Sequence, residues 1–265
     1  MGEMHARLDV LRTGLGALES VVVAFSGGAD SAFLAYVAND VLGPTRCVAV
    51  TAVSPSLAPE EREDCAALAR EWGLRWEAVE TDELASPLYS ANDGERCFHC
   101  KTSLMDALAS FEGTVVLGVN TDDLGDHRPG QRAAAERGAR FPLVEAGFSK
   151  ADVRAASREL GLRTWDKPAA ACLASRVPYG TAVTLGVLSS VASAESGLRR
   201  LGFRELRVRH YGDLARIEFG AEDLERAVLL RREVVEAVKA AGYQYVTLDL
   251  EGFRSGNLNH ALGAR

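Results

Sequence analysis

The chain has 265 residues, 47% hydrophobic and 25% charged, with a formal net charge of −7. That length carries one or two domains with a sizeable core, and the acidic balance argues against a broad nucleic-acid surface. No apolar run suits a bilayer span, residues 1–11 lack a signal-peptide core, and five cysteines, an odd number, fit reduced thiols in the cytoplasm better than a disulfide framework.

Leu8, Leu11, Leu15 and Leu18 recur at helical spacing, so the chain opens with an amphipathic helix. The pattern then predicts a strand over 20–25, a helix over 30–41 and a strand over 46–53. Pro59 opens a helix that runs to about 72. A strand follows over 75–79, a helix over 101–111 and a strand over 114–118. A helix over 150–160 has Ser149 as its cap. This alternation predicts an α/β fold, a parallel sheet with helices on both faces. Ligands of such sheets lie at the carboxyl ends of the strands, which places residues 25–31, 51–56 and 118–123 at one rim.

Over 164–183 the periodicity fails, and a long irregular stretch of this kind is often functional. A helix over 185–201, strands over 205–210 and 214–219, a helix over 221–241 and a strand over 244–250 come next. Tyr211-Gly212-Asp213 is the turn between the first two of those strands. The expected organisation is an α/β domain over 1–165, an active-site loop or linker over 166–183, and a smaller α+β domain over 184–265. Internal repeats and low-complexity tracts are not evident.

Ser26-Gly27-Gly28-Ala29-Asp30-Ser31 follows the apolar run 21–25 and precedes the helical stretch. Glycines let backbone approach a ligand, and the N–H groups of a helix start favour an anion. Ser26 and Ser31 add hydroxyl donors. No Lys follows the glycines, so the Walker pattern is excluded. The alternative is a plain Gly-Gly turn. The six residues resemble the PP-loop of ATP pyrophosphatases, which cleave ATP between the α and β phosphates. That resemblance implies an adenine nucleotide alpha hydrolase-like sheet, with Ser26, Gly27, Gly28, Asp30 and Ser31, and Thr51 and Gly118 at the same rim, expected to bind ATP.

Cys97-Phe98-His99-Cys100 is an ambiguous CxxC: a redox pair, half a zinc site, or part of an iron–sulfur site. Its context is wrong for a thioredoxin-like motif. Zinc would need two further ligands, and Cys65, His99, His127 and Cys172 lack a zinc-finger spacing. Cys172 lies in the irregular stretch among small residues, and Lys167 and Arg176 would lower its pKa if they face it. Function is the preferred reading for Cys172. Cys47 and Cys65 read instead as buried hydrophobes. Arg207 and Arg209 alternate on one strand and share a face, which suits a phosphate, although an exposed edge would look the same. Asp122 and Asp123 could hold Mg²⁺ or a ribose, or cap a helix. Asp123 is the one assigned to the cofactor. Ser175 and Arg176 are expected to position substrate or phosphate. His210 can equally be the end of a strand.

Seven stretches together resemble the LarE family of ATP-dependent sulfur transferases: 26–31, 96–101, 118–126, 128–130, 167–180, 207–213 and 248–256. They run in order along nearly the whole chain, and the Cys172 segment is the most specific. The resemblance implies a pyridinium biscarboxylic acid mononucleotide as substrate, and the expected protein is a cytoplasmic homo-oligomer with no nucleic-acid or membrane partner. MgATP adenylates a carboxylate, a sulfur species displaces AMP, and a thiocarboxylate results, twice on one ring. The family has two sulfur strategies. Either the counterpart of Cys172 gives up its own sulfur, or three thiolates hold a [4Fe-4S] cluster that carries sulfide. Cys97, Cys100 and Cys172 are all present, so the cluster is the expectation. The rival expectations are another PP-loop adenylating enzyme, for tRNA thiolation or amide ligation, and a non-catalytic nucleotide- or metal-binding protein. A tRNA enzyme would be expected to have a basic surface or an RNA-binding module, and an amide ligase would not need Cys172.

Overall fold

A computed structural model describes residues 2–125, 129–168 and 171–254. In chain order the regular elements begin with α1 (Gly2–Gly16), β1 (Val21–Ala24), α2 (Ala29–Leu42), β2 (Cys47–Val53), α3 (Pro59–Trp72) and β3 (Trp76–Glu80). Next come α4 (Pro87–Ser90), α5 (Arg96–Leu108), β4 (Thr114–Leu117), α6 (Pro129–Glu136), α7 (Pro142–Glu145) and α8 (Lys150–Glu159). The chain continues through α9 (Leu185–Arg200), β5 (Leu206–Tyr211), β6 (Leu214–Phe219), α10 (Leu224–Leu229), α11 (Arg231–Ala240) and β7 (Tyr245–Leu248). No helix among the described residues is long and apolar enough to cross a membrane.

The chain divides into two compact units, the first formed by residues 1–54, 59–83 and 97–170. It is the parallel α/β fold that the alternation predicts. Its sheet has the order β3-β2-β1-β4, with every pairing parallel. The central strand reads as an unbroken apolar run because both of its faces are covered. Val21 and Val23 enter one core with Phe33, Leu34, Leu68 and Phe148, while Val22 enters another with Val50, Leu108 and Leu117. The predicted cap of α8 is present as a capping box between Ser149 and Asp152.

Several boundaries differ from the sequence expectation. Helix α5 begins at Arg96, not 101, because a turn at Asp93 leads straight into it: Glu95 N donates to Asp93 Oδ1 at 2.8 Å and Arg96 N to Asp93 O at 3.2 Å. Helices α6 and α7 were not expected, though each carries Pro at its first position, the usual place for it.

The second unit comprises residues 55–58, 84–96 and 171–265. It is small and α+β. Its sheet has the order β5-β6-β7, antiparallel between β5 and β6 and parallel between β6 and β7. Leu206, Val208, Ala215, Ile217 and Phe219 pack with Leu198 of α9 and Val234 and Val238 of α11. The helix expected over 221–241 is broken at Leu230, where φ is −92° and ψ 24°. The break lets Leu230 pack on this core, while Leu229 is 78% exposed. Within the irregular stretch, Leu173–Arg176 forms one short 3-10 turn.

Candidate active site

The expected nucleotide loop lies at the carboxyl end of β1, in the middle of the first sheet. Gly27 has φ 69°, in the left-handed region that favours glycine. Gly28 is the N-cap of α2. The Oγ atoms of Ser26 and Ser31 lie 3.0 Å apart, and Ser31 Oγ also accepts from Ser26 N at 3.3 Å. Gly118, just past β4, packs directly on the start of α2. A Cβ there would meet Ser31 N at 2.7 Å and Asp30 C at 2.8 Å. The two rim segments thus touch backbone to backbone.

Asp30 lies beside buried Asn120, whose side chain hydrogen-bonds to it. Burial pushes the Asp30 carboxyl up, against that hydrogen bond, and Asp123 adds to the rise. Its Oδ1 is buried without a hydrogen-bond partner among the described residues. A carboxylate oxygen in that state suits a cation brought by a ligand. Asn120 also organises the turn: its Oδ1 accepts from Asp122 N at 3.0 Å, and its N donates to Asp123 Oδ2 at 3.2 Å. Asp122 Oδ2 accepts from Lys150 N at 2.9 Å, at the start of α8. Thr51 is buried, with its hydroxyl donating to Phe25 O at 2.7 Å and accepting from Trp76 Nε1 at 2.9 Å. That hydroxyl ties β2 to the chain leaving β1 and to β3.

Cys97 and Cys100 both lie near the start of α5, three apart and so on neighbouring positions of its surface. Cys97 is exposed and Cys100 half-buried. A Cβ on Gly130 would meet Cys97 O at 3.0 Å, so the start of α6 packs closely on the start of α5. Cys172 belongs to the second unit. The described residues contain no group of three His, Cys, Asp or Glu side chains placed to hold a metal ion. The set Cys97, Cys100 and Cys172 expected to hold a cluster is divided along the chain between the two units. Cys47 and Cys65 are buried, as their positions suggest, and burial pushes their thiols up to about 12 and about 11. His127 lies outside the described residues, as do Asp126, Arg128, Ala169, Ala170, Ser255 and Gly256 of the matching stretches.

In the second unit Cys172 is exposed and caps the 3-10 turn. The turn is held from several sides. Leu173 N donates to Ser56 O at 2.8 Å, and the Ser56 and Tyr89 hydroxyls are 2.6 Å apart. Arg176, buried, donates through Nη1 to Ala171 O at 2.6 Å, Cys172 O at 3.1 Å and Ser175 Oγ at 3.0 Å. Its other nitrogens pair with Glu195. Arg176 thus grips the backbone of the cysteine segment. Lys167, which could have faced the thiol, has its ammonium on Gly27 O, Glu61 and Asp64.

Arg209 donates to Ser175 O at 2.9 Å and to Glu218 Oε2 at 2.7 Å, and is buried. Arg207 donates to Leu206 O at 2.7 Å and stacks 4.7 Å from the Phe253 ring centre. Burial pushes the Arg207 guanidinium down to about 10, and the like charges of Arg176 and Arg209 add to that, against the attraction of Glu195. A desolvated guanidinium among other cations is stabilised by an incoming anion. His210 is the residue before the last of β5, and its Nδ1 lies 3.2 Å from the Tyr243 hydroxyl.

Two residues beyond the expected set brace this turn. Buried Asn92 has φ 56°, and its Nδ2 donates to Pro178 O and Thr181 O at 2.8 Å each. Arg96 donates to Asn92 Oδ1 at 2.5 Å and to Ala174 O at 2.9 Å. The signal for Asn92 was its place in Asn-Asp-Gly, since Asn tolerates a positive φ. Nothing local marks Arg96 as a brace.

Residues 6–102 match the family described as NAD synthase. The Lactiplantibacillus plantarum pyridinium-3,5-bisthiocarboxylic acid mononucleotide synthase is 38% identical over 267 residues, 99% of this chain and 97% of that one. The chain belongs to that LarE family. An uncharacterized protein of Synechocystis sp. is 48% identical over 266 residues, 98% of this chain and 99% of its own. An uncharacterized protein of Methanocaldococcus jannaschii is 26% identical over 242 residues, 89% of this chain and 92% of its own. The likeness to the LarE synthase runs through both units, as the spread of matching stretches along the sequence implies.

Proposed function

We propose that this protein is an ATP-dependent sulfur transferase that converts the carboxylates of a pyridinium biscarboxylic acid mononucleotide to thiocarboxylates. The observation that carries the reading is Cys172, exposed on a turn gripped by Arg176, in a chain 38% identical along its length to the synthase. In this reading MgATP occupies the loop of Ser26, Gly27, Gly28, Asp30 and Ser31, with Asp30 toward the cation that accompanies the triphosphate. Gly118 and Asp123 shape the same rim. Arg207 and Arg209, with Ser175, take the phosphate of the mononucleotide.

The chemistry follows from what a carboxylate lacks, a good leaving group. A substrate carboxylate oxygen attacks the α-phosphorus of ATP and pyrophosphate leaves. The acyl adenylate then presents AMP as leaving group. In place of the expected cluster-bound sulfide we assign Cys172, exposed on its turn, as the sulfur donor. Its thiolate attacks the acyl carbon, AMP departs, and a thioester forms. Loss of the Cα proton sends electrons into Cα–Cβ, the Cβ–S bond breaks with its pair on sulfur, and a thiocarboxylate leaves. Residue 172 becomes dehydroalanine.

Mass spectrometry after reaction tests this. The expected result is a protein lighter by one H₂S at residue 172, with pyrophosphate released only when substrate is present. Anaerobically prepared protein that holds iron and sulfide, turns over repeatedly and keeps Cys172 intact would overturn Cys172 as the donor. Pyrophosphate release stimulated by tRNA or by an amine, and not by the mononucleotide, would overturn the sulfur-transfer reading as a whole.

A further inference from the structure

Lys167 opens the segment that leads along the chain to Cys172, yet its side chain is turned to the other end of the chemistry. Its Nζ donates to Gly27 O at 3.1 Å, Glu61 Oε2 at 2.8 Å and Asp64 Oδ2 at 2.7 Å. An ammonium has three protons, and here it has three acceptors. The Lys167 side chain is 17% exposed, so this is not a loose surface charge. Asp64 is held in turn by Arg163 at 2.6 Å. Burial would lower the Lys167 pKa, but Asp64 and Glu61 hold it raised, so the group stays charged.

Gly27 is the left-handed residue of the loop, and a Cβ there would lie 2.9 Å from Cys65 Sγ and 3.7 Å from Lys167 Nζ. The ammonium therefore sits on the α3 side of the loop. A trans peptide sends its C=O and its N–H in opposite directions, and no described peptide bond is cis. A cation on Gly27 O thus fixes the Gly27–Gly28 peptide plane, and turns the Gly28 N–H away from Lys167. Gly28 caps α2, so this N–H belongs to the set of donors that an anion would meet.

We infer that Lys167 is a positioning residue for the nucleotide: it holds the Gly27 carbonyl so that the donors at the start of α2 are preset for a polyphosphate. A second effect runs the same way, since Lys167 offsets two carboxylates, Glu61 and Asp64, that would otherwise lie near an incoming triphosphate. The inference rests on the reading of this loop as the ATP site.

The experiment measures ATP affinity and the ATP KM and kcat for pyrophosphate release in wild type, Lys167→Met and Lys167→Arg. Loss of one charge-assisted hydrogen bond from a preset site should raise Kd and KM about tenfold in Lys167→Met, and Lys167→Arg should recover part of this. A triple variant, Lys167→Met with Glu61→Gln and Asp64→Asn, separates the two effects. Persistent weak binding in the triple variant supports positioning through Gly27 O, whereas full recovery means that only uncovered charge mattered and overturns it. Amide exchange over residues 27–31 gives a readout free of activity: faster exchange in folded Lys167→Met is expected, and unchanged exchange with unchanged ATP affinity overturns the inference. A wild type that binds no ATP would overturn the reading of the loop, and this inference with it.

Discussion

Arg176 holds Glu195 with two nitrogens, Nε to Oε1 at 2.8 Å and Nη2 to Oε2 at 3.0 Å, and both side chains are buried. Glu195 also accepts from Arg199 at 2.9 Å and from Val208 N at 3.1 Å. One carboxylate thereby ties α9, β5 and the Cys172 turn within the second unit. Breaking a buried pair leaves an uncompensated charge, so Glu195→Gln should cost about 3–5 kcal/mol in denaturant unfolding. Burial alone would raise the Glu195 carboxyl, but Arg176 and Arg199 hold it below its ordinary 4.5. A depressed carboxyl stabilises above its unfolded pKa and loses that contribution as pH falls through the folded one. Wild type should therefore weaken as pH drops below 4.5 more steeply than Glu195→Gln. Parallel acid limbs for the two proteins would remove Glu195 from this role.

The glycines of the loop differ in what they tolerate. A Cβ on Gly118 would lie 2.7 Å from Ser31 N, a backbone atom that cannot step aside. Gly118→Ala should cost about 1–3 kcal/mol through overpacking and displace the start of α2. Among the described residues a Cβ on Gly28 has only Ser26 Oγ near it, at 3.5 Å, and its φ of −72° suits any residue. Gly28→Ala should fold normally and bind ATP more weakly. Gly27→Val is a poorer probe of the nucleotide, because its Cβ would strike Cys65 Sγ. Thermal melts and ATP binding on the first two variants check this, and equal melting of both would show that the Gly118 contact is slack.

Four of the five thiols should fall into two classes, with half-buried Cys100 between them. Burial raises Cys47 to about 12 and Cys65 to about 11, so at pH 8 their thiolate fractions are on the order of 10⁻⁴ and 10⁻³. Cys97 and Cys172 are exposed. Native protein under nitrogen should react rapidly with a thiol reagent at Cys97 and Cys172, and at Cys47 and Cys65 only after unfolding. Peptide mapping of the label decides it.

Arg207 and Arg209 alternate on β5 but are held differently. Arg209 pairs with buried Glu218, whereas Arg207 stacks on Phe253 and is pushed down to about 10 by its burial. Arg207→Ala should weaken the mononucleotide about tenfold, the value of one charge-assisted contact, while ATP affinity holds. Arg209→Ala should lower stability as well, because the buried Glu218 carboxylate then loses its ion pair at 2.7 Å. Calorimetric binding with thermal melts on each variant separates these outcomes. Equal mononucleotide affinity in wild type and Arg207→Ala would remove Arg207 from the substrate site.

Much of this protein follows from its sequence alone. Apolar runs alternating with amphipathic stretches specify a parallel sheet covered on both faces, because only that arrangement buries Val21, Val22 and Val23 together. Ser26 to Ser31 marks the loop, since glycine and hydroxyl chemistry there is local to six residues. The side-chain partners were another matter. Thr51, expected to face a ligand from the rim, has its hydroxyl taken up by Phe25 O and Trp76. Lys167, five residues before Cys172 in the sequence, reaches Gly27 across 140 positions of chain. Arg176 finds Glu195 and Arg96 finds Ala174 over 19 and 78 positions. Periodicity reports which face of an element is buried, because neighbours three or four residues apart share it. It cannot report which polar groups are desolvated together, and that decides where each buried charge finds its partner. Only the packed chain makes that choice.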